Sequence, residues 1–274
     1  MASSAGSRQA GPVIPAPSSV PVLRIGIVNN MPDAAFHDTN RQLVALLRQA
    51  AGALPLDIAG YLLPDVPRHP STVATASLPT HPFEALAEAP PHALIVTGLA
   101  PGCTQISAEP FWPQLSGLVR WAADHVPSTL LSCLAAHAAA VALHGIARVR
   151  LPAKASGVFP HAVLRAHPLA RHLGPTVAFP HSRFNGVPAP ALAARGYEIV
   201  VGSGDDWSVA CRRRHGRELV LLQGHPEYAP STLLREYRRD VAEHLRGDGG
   251  GYPGLPEGYL DAEGERCLAE LRAR

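Results

Sequence analysis

The sequence predicts an α/β fold, with a mostly parallel sheet covered by helices on both faces and an antiparallel C-terminal extension. In the first half, short runs that are apolar on both faces alternate with helical patterns, which is typical of parallel strands beneath crossover helices. In the second half, short strands follow one another closely. The chain has 274 residues, 46% hydrophobic and 17% charged, and this is enough to bury one large core.

Charge and cysteine content restrict the classes of partner. The formal net charge is only +2, so no overall basic field favours nucleic acid or an anionic membrane, and small-molecule partners are expected. The four cysteines form no C-x-x-C pair, and the 14 histidines include no H-E-x-x-H motif. The sequence therefore predicts no disulfide scaffold, no metal site and no bound cofactor.

The domain organisation is predicted from composition. Residues 1–21 are rich in Pro, Ser, Gly and Ala and are expected to form a disordered leader. Residues 22–246 are expected to form one domain, and residues 247–274 a Gly/Pro-rich loop and a C-terminal helix. Neither a signal peptide nor an apolar run of membrane-spanning length is found, so the protein is expected to be cytoplasmic, with reduced thiols.

The predicted elements of the first half come from runs of β-branched and apolar residues for strands and from helical spacing for helices. A strand begins at Leu23, and a long loop is predicted over residues 64–82. The other elements are a helix from Asp38 to Ala51, strands Leu56–Leu62, Ala93–Val96 and Ser128–Ser132, and helices Phe111–His125 and Leu134–His144.

The predicted elements of the second half are mainly antiparallel. Four arginines, Arg212, Arg213, Arg214 and Arg217, flank a hairpin turn; they are interpreted as a solvated sheet edge, with a phosphate clamp as the alternative. The predicted elements are strands Thr176–Phe179, Tyr197–Val201, Trp207–Cys211 and Glu218–Leu222, a helix from Ser231 to Leu245, and a terminal helix from about Asp261.

Two strand ends carry candidate catalytic residues. Cys133 follows a strand and begins a helix, where the helix N-terminus favours a thiolate and offers N–H groups to an oxyanion. The alternative is an ordinary core cysteine. His225 and Glu227 follow a later strand, and the carboxylate can orient the imidazole toward a nucleophile. A structural histidine is the alternative there. A parallel sheet brings such strand ends to one edge.

Several motifs in sequence order carry a family resemblance. The chain resembles the homoserine O-acyltransferases of the homoserine O-succinyltransferase type from about residue 23 to residue 245. The matching motifs are Asn30-Met31-Pro32, Thr97-Gly98, Phe111-Trp112-Pro113-Gln114, Ser128 to Cys133, Leu151 to Phe159 with Lys154, Pro180-His181-Ser182-Arg183, Gly224 to Tyr228, and Glu236 to Asp240.

The resemblance implies a class I glutamine amidotransferase-like fold and a two-step acyl transfer from an acyl-CoA co-substrate to L-homoserine, in methionine biosynthesis. It assigns Cys133 as the nucleophile, His225 as the general base and Glu227 as the residue that orients His225. Homodimers are common in the family, so a homodimer is expected here.

Four further positions are implied to bind substrate. Lys154 matches a lysine near the acyl group, with an idle surface lysine as the alternative. Ser182 matches a substrate-contacting serine. Arg239 matches the arginine for the amino-acid carboxylate, with a solvated i,i+4 network as the alternative. Gly102 falls at the acyl-selecting position and favours succinyl over acetyl; a one-residue shift would place Pro101 or Cys103 there instead.

The chain also departs from the family pattern. Relatives commonly have Trp-Gly-Ala-Gln after the nucleophile, whereas Leu134 to His137 follow it here. His137 lies one turn past Cys133 and is interpreted as a helix-packing residue. The rival hypotheses are an acetyl-CoA donor, an L-serine-like acceptor, a glutamine amidotransferase-like hydrolase and a non-catalytic ligand sensor.

Overall fold

The structure, a computed structural model, describes residues 21–99, 105–248 and 251–273. Apart from its last position, the predicted leader lies outside the described residues. The strands of the described chain are β1 (Leu23–Val28), β2 (Leu56–Leu62), β3 (Thr80–Pro82), β4 (Ala93–Val96), β5 (Ser128–Ser132), β6 (Val149–Val163), β7 (Thr176–Gly186), β8 (Glu198–Ser203), β9 (Asp206–Arg214) and β10 (Arg217–Leu222).

Helices connect and cover these strands. Two single turns of 3-10 helix, Ile106–Ala108 and Pro168–Ala170, lie between larger elements. The α-helices of the described chain are α1 (Asp33–Ala51), α2 (Pro70–Ala74), α3 (Ala85–Glu88), α4 (Trp112–His125), α5 (Leu134–His144), α6 (Ala189–Ala193), α7 (Thr232–Leu245) and α8 (Ala262–Ala273).

The strands form one mixed sheet in the order β3-β2-β1-β4-β5-β10-β9-β8-β6-β7. The six strands from β3 to β10 in this order are parallel to one another, and we call them the parallel half. The four strands from β9 to β7 each pair antiparallel with their neighbours, and we call them the antiparallel half. This arrangement confirms the predicted fold class.

Apolar residues on both faces of the parallel half explain its position at the centre of the fold. Ile27 and Val28 are successive residues of β1, and both are fully buried. Ile27 packs with Leu43 and Val44 of α1, whereas Val28 belongs to the larger core formed with α4 and α5. Burying each large aliphatic side chain contributes about 1.5–3 kcal/mol, so both faces of the sheet need a helical layer.

The prediction of one long loop over residues 64–82 is wrong, because this segment contains α2 and β3. Arg68 anchors it, donating to the carbonyl oxygens of Asn29 at 2.6 Å and Met31 at 2.8 Å. Its guanidinium also lies 4.2 Å from the ring centroid of Phe36. Helix α1 likewise begins at Asp33, five residues before the predicted start, directly after Pro32.

Strand β6 was missed, and β7 runs seven residues past its predicted end. Prolines and glycines interrupt the apolar pattern of β6, but its pairing with β7 and a bridge to the C-terminal segment hold it extended. The N–H of Glu257 donates to Ser156 O at 2.9 Å, and the N–H of Val158 donates to Glu257 O at 2.8 Å. A Cβ on Gly157 would lie 2.2 Å from Glu257 O, so this approach requires glycine.

The β9–β10 hairpin lies inside the sheet, between β5 and β8. The pairing of β9 with β8 ends at Cys211 and that of β10 with β5 begins at Glu218, so the four arginines lie beyond these pairings, at the end of the hairpin. Arg213 and Arg214 are exposed, as expected for a solvated group, although the hairpin does not contain an edge strand. His215 and Gly216 have φ angles of 50° and 77°, which matches a tight two-residue hairpin turn and confirms the predicted turn.

The remaining predicted strands and helices agree with the structure within a few residues at their ends. No helix in the described part of the chain is both long enough and apolar enough to cross a membrane.

Candidate active site

Cys133 occupies a sharp turn between β5 and α5, as the sequence predicted. Its backbone has φ 50° and ψ −110°, a strained conformation for a residue other than glycine, which costs about 1–3 kcal/mol. Its N–H donates to Leu222 O at 2.7 Å, so the turn is fixed against the end of β10. The first bond inside α5 runs from His137 N to Cys133 O, which leaves the earlier N–H groups of the helix without intrahelical partners.

His225 and Glu227 follow β10, the strand next to β5, and face Cys133. Nδ1 of His225 donates to Oε1 of Glu227 at 2.8 Å, and the Cys133 thiol lies close enough to the same imidazole to raise its pKa. The N–H of His225 donates to Pro180 O at 2.8 Å, which fixes its backbone to β7. The three side chains therefore form a continuous line from thiol to imidazole to carboxylate.

The electrostatics of this line favour a charged imidazole. Burial lowers the pKa of His225, but the Glu227 carboxylate and the Cys133 thiol raise it, and the net pKa lies well above the ordinary value. An imidazolium paired with a thiolate, and able to return its proton during turnover, is the state that nucleophilic cysteine catalysis uses.

Tyr228 and Glu236 adjoin the line, and neither was predicted as a site residue. The Tyr228 ring stacks on the His225 imidazole with centroids 4.3 Å apart, and its hydroxyl donates to Oε1 of Glu236 at 2.8 Å. Burial and the Glu236 carboxylate raise the pKa of Tyr228 well above its ordinary value, so the hydroxyl stays a donor. Oε2 of Glu236 is buried and has no hydrogen-bond partner in the described chain.

The turn after β4 borders the nucleophile. A Cβ on Gly98 would lie 3.0 Å from the backbone N of Leu134 and 3.2 Å from Cβ of Cys133, so the lack of a side chain permits this contact. Asn30 holds the turn, because its N–H donates to Oγ1 of Thr97 at 2.8 Å and its Nδ2 donates to Thr97 O at 3.1 Å.

Lys154 and Arg239 converge on one carboxylate. Lys154 on β6 forms a half-buried ion pair with Oδ2 of Asp240, and Nη2 of Arg239 lies 2.8 Å from Oδ1 of the same residue. Burial raises the pKa of Asp240, but both cations lower it and the net pKa is below the usual range. Arg239 also lies 3.7 Å from Glu243 one turn further along α7, so it takes part in the i,i+4 network foreseen as an alternative.

Helix α7 connects this ion cluster to the catalytic line. Glu236, Arg239 and Asp240 occupy positions i, i+3 and i+4, which share one helix face. The Glu236 carboxylate acts on the pKa values of both Tyr228 and Arg239. Glu236 belongs to the Glu236 to Asp240 motif of the family resemblance, and its spacing from Arg239 and Asp240 is a second sequence feature that indicates it.

Ser182 lies on β7, where it pairs in register with Ser156 of β6. It is two residues from Pro180, whose carbonyl accepts from His225. The hydroxyl of Ser182 makes no hydrogen bond to any other described residue. Gly102, the predicted acyl-selecting residue, lies outside the described residues, as do Pro101 and Cys103.

A further cation near the thiol was not predicted. Arg148, just before β6, is half-buried, and burial lowers its pKa while Glu109 and Cys133 raise it. Its proximity to Cys133 arises from the tertiary fold, and nothing in the local sequence indicates it.

His137 is buried and hydrogen bonds with Gln223, as expected for a helix-packing residue. Nε2 of His137 lies 3.0 Å from Oε1 of Gln223. Gln223 also accepts from the N–H of Val187 and donates to Asp206 of β9. Burial lowers the pKa of His137 to about 3, so the imidazole is neutral.

Within residues 21–99, 105–248 and 251–273, no group of three or more His, Cys, Asp or Glu side chains is arranged to hold a metal ion.

Sequence comparison relates the chain to one family. A family profile described as homoserine O-succinyltransferase matches residues 16–272. A homoserine O-succinyltransferase of Rhodopseudomonas palustris is 41% identical over 253 residues, which cover 92% of this chain and 76% of the relative. A homoserine O-succinyltransferase of Methylorubrum extorquens is 42% identical over 238 residues, covering 86% and 70%.

Structure comparison relates the fold to glutamine amidotransferases. A glutamine amidotransferase from Thermotoga maritima aligns with a TM-score of 0.55 and 14% identity, covering 91% of this chain and 94% of that one. A glutamine amidotransferase from Methylobacillus flagellatus aligns with a TM-score of 0.50 and 16% identity, covering 88% and 84%. At these identities the likeness shows the fold, which is the one that the sequence resemblance implied.

Proposed function

The chain belongs to the homoserine O-succinyltransferase family, and we propose that it moves a succinyl group from succinyl-CoA to the hydroxyl of L-homoserine through an acyl-cysteine at Cys133. The observation that carries this proposal is the line of Cys133, His225 and Glu227 at the ends of two neighbouring parallel strands, in which Glu227 hydrogen bonds with His225 and Cys133 raises the pKa of His225. Thiols stay reduced in the cytoplasm, which supports the cytoplasm as the location of a nucleophilic cysteine.

In the first half-reaction, the Cys133 thiolate attacks the thioester carbonyl of succinyl-CoA. A carbon–sulfur bond forms and the carbonyl electrons move to oxygen, where the free N–H groups at the start of α5 can stabilise the oxyanion. The oxyanion then collapses, the bond to the CoA sulfur breaks, and the His225 imidazolium gives its proton to the departing CoA thiolate.

In the second half-reaction, the now neutral His225 accepts the hydroxyl proton of homoserine as that oxygen attacks the acyl-cysteine. The tetrahedral intermediate collapses by breaking the bond to Cys133, which restores the thiolate and the imidazolium. Glu227 keeps the ring oriented and stabilises its positive form in both half-reactions.

The substrate groups are assigned to β6, β7 and α7. Asp240 takes Nε and one terminal nitrogen of Arg239, and the remaining guanidinium donors suit the homoserine carboxylate. The unpartnered Oε2 of Glu236 suits the homoserine ammonium. Lys154 is assigned to the acyl group and Ser182 to the bound substrate.

Acyl choice is assigned to Gly102, because the family resemblance implies that a small residue at this position accepts a succinyl group. We expect Gly102→Glu to lower the ratio of kcat/KM for succinyl-CoA to that for acetyl-CoA at least tenfold. An unchanged ratio would remove Gly102 as the selecting residue and leave the choice of donor to another part of the site.

The first test is intact-protein mass spectrometry after brief exposure to succinyl-CoA or acetyl-CoA. A succinyl adduct should appear on the wild-type chain and on Cys267→Ala, the matched exposed-thiol control, but not on Cys133→Ala. Addition of L-homoserine should discharge the adduct, whereas L-serine should leave it in place. Failure of both donors to label Cys133 would overturn the acyltransferase assignment.

The fold likeness favours one second candidate, a glutamine amidotransferase-like hydrolase, because the same Cys, His and Glu line could cleave glutamine. The proposal predicts no release of ammonia from L-glutamine by the full chain. Ammonia release that is lost in Cys133→Ala, together with no acyl adduct, would support the hydrolase instead.

A further inference from the structure

A basic cavity lies beside the strand ends on the far side of the sheet from Cys133. Its volume is about 200 Å³, and it opens near the amino ends of β5 and β10. Cys133 follows the carboxyl end of β5, about 16 Å away at the usual rise per residue of a strand. The charged and titratable residues that line the cavity are Arg120, Asp124, His144, Arg212, Arg214 and Arg217.

The two faces of the β9–β10 hairpin are charged differently. On one face, Arg213 pairs in register with Glu218, an ordinary match of opposite charges. On the cavity face, Arg214 pairs in register with Arg217. Like charges directly opposite one another destabilise a strand pair, so this arrangement needs a counter-charge from outside the hairpin.

The cavity also holds a guanidinium in a fixed position. Nη1 of Arg212 lies 3.2 Å from Nε2 of His144, and the Arg212 guanidinium lies 5.6 Å from the ring centroid of Tyr197. The Tyr197 hydroxyl lies 3.3 Å from the same His144 nitrogen. The tight turn of the hairpin limits the movement of the neighbouring strand ends.

The positive charge is not neutralised within the described chain. None of Arg120, Arg212, Arg214 and Arg217 forms an ion pair with a described residue, and Asp124 is the one acidic side chain among the cavity-lining residues. Burial lowers the pKa of His144, and Arg212, Arg195 and Arg214 lower it further. The field at His144 is therefore positive.

We propose that this cavity binds a phosphate or diphosphate group. Guanidinium groups recognise phosphate oxygens with paired, charge-assisted hydrogen bonds, and four of them face the same space. The volume is several times the roughly 30 Å³ share of one water molecule but smaller than the about 300–1,000 Å³ typical of drug-sized ligands. It therefore suits a phosphoryl group, carried either by a free anion or by a nucleotide whose remainder stays outside.

The alternative is a purely structural role. Helices α4 and α5 both end near the cavity, and cations stabilise the negative end of a helix dipole. A structural role predicts that removing an arginine lowers stability, with no dependence on phosphate. The two roles can therefore be separated by measuring binding.

The test is isothermal titration calorimetry of the full chain with phosphate, pyrophosphate or ADP at constant ionic strength set by NaCl. Arg214→Glu is compared with Arg213→Glu, an adjacent exposed residue on the opposite face with the same change of charge. Pyrophosphate affinity should fall at least tenfold in Arg214→Glu and stay within twofold in Arg213→Glu. Thermal unfolding without ligand checks that both variants fold.

A second variant, Arg217→Gln, should also weaken pyrophosphate binding at least tenfold without introducing a negative charge. Tighter binding of phosphate or pyrophosphate than of ADP would identify a free anion as the ligand, and tighter binding of ADP would identify a nucleotide. Equal losses in the Arg213 and Arg214 variants would mean non-specific attraction and overturn the site. Absence of pyrophosphate binding to the wild-type chain would overturn it as well.

Discussion

The parallel and antiparallel halves of the sheet carry different kinds of candidate site residue. In the parallel half, Cys133 and His225 lie at the ends of adjacent strands, where Cys133 raises the pKa of His225 and Glu227 hydrogen bonds with the same imidazole. In the antiparallel half, Lys154 and Ser182 lie on neighbouring strands, and Lys154 forms an ion pair with Asp240 of α7.

This difference suggests a division of labour. The proposed reacting groups are fixed by the backbone of the parallel half, whose strand ends converge at one edge. The proposed substrate-binding groups depend on charge pairs between separate elements. We therefore expect changes in the first set to lower kcat and changes in the second set chiefly to raise KM for one substrate.

The largest effect should come from His225→Gln. This change removes the proton carrier of both half-reactions, and kcat is expected to fall about 10⁴-fold, the upper end for general acid–base catalysis. Steady-state rates with succinyl-CoA and homoserine measure it, and thermal unfolding provides the control for folding. A kcat within tenfold of wild type would contradict the assignment of His225.

Glu227→Gln also tests the reacting groups of the parallel half, through the pKa of His225. In the wild-type chain, burial lowers the pKa of His225 but Glu227 and Cys133 raise it overall, so the imidazolium persists to higher pH. Removing the carboxylate should lower that pKa, move the alkaline limb of kcat/KM for succinyl-CoA to lower pH, and reduce kcat roughly 10²-fold. An unmoved alkaline limb would show that Glu227 has only a packing role.

Arg239→Lys tests the proposed substrate-binding groups. Loss of the planar guanidinium should raise KM for homoserine about 10–100-fold, since a hydrogen bond to a charged group contributes about 1.5–3 kcal/mol. The rate of acyl-enzyme formation from succinyl-CoA should not change. Arg238→Lys, an exposed neighbour on the same helix, is the matched control and should leave both quantities unchanged. An equally large fall in the rate of acyl-enzyme formation would contradict the proposed separation between reacting and substrate-binding groups.

Much of the parallel half could be predicted from the sequence, because its information is local. The bounds of β2 and α5 were predicted to the residue, since apolar runs and helical spacing mark them. The placement of Cys133 and His225 at one sheet edge follows from the general geometry of parallel sheets, so their proximity could also be predicted.

Less of the antiparallel half could be predicted from the sequence. Strand β6 contains prolines and glycines, and its extended form depends on β7 and on Glu257, which are distant in sequence. Lys154, Ser182 and Arg239 were identified through the family resemblance alone. Glu236 was not named as a site residue although it lies in a matched motif, and Arg148 was missed because its closeness to Cys133 exists only in the folded chain.

The smallest predicted effect is on the free energy of unfolding, and it comes from His137 of α5. His137 hydrogen bonds with Gln223, which follows the parallel half and also bonds to Asp206 of the antiparallel half. Burial lowers the pKa of His137 to about 3, below the about 6.5 of an unfolded chain. Its contribution to stability is therefore complete above pH 6.5 and is lost as the pH falls toward the folded pKa. Between pH 7.5 and 5.5 this loss amounts to about 1 kcal/mol.

His137→Gln keeps an amide donor for Gln223 and removes the titration. Urea unfolding at the two pH values should show a pH-dependent loss of stability that is smaller by about 1 kcal/mol than in the wild-type chain. Part of the loss should remain, because burial also lowers the pKa of His181, to about 2. Because the His137 side chain hydrogen bonds with Gln223 and has no assigned role in the reaction, kcat should stay within a few-fold of wild type. The same pH dependence in both chains would mean that burial does not keep His137 neutral. A charged imidazole would then be accommodated beside Gln223, between the parallel and antiparallel halves.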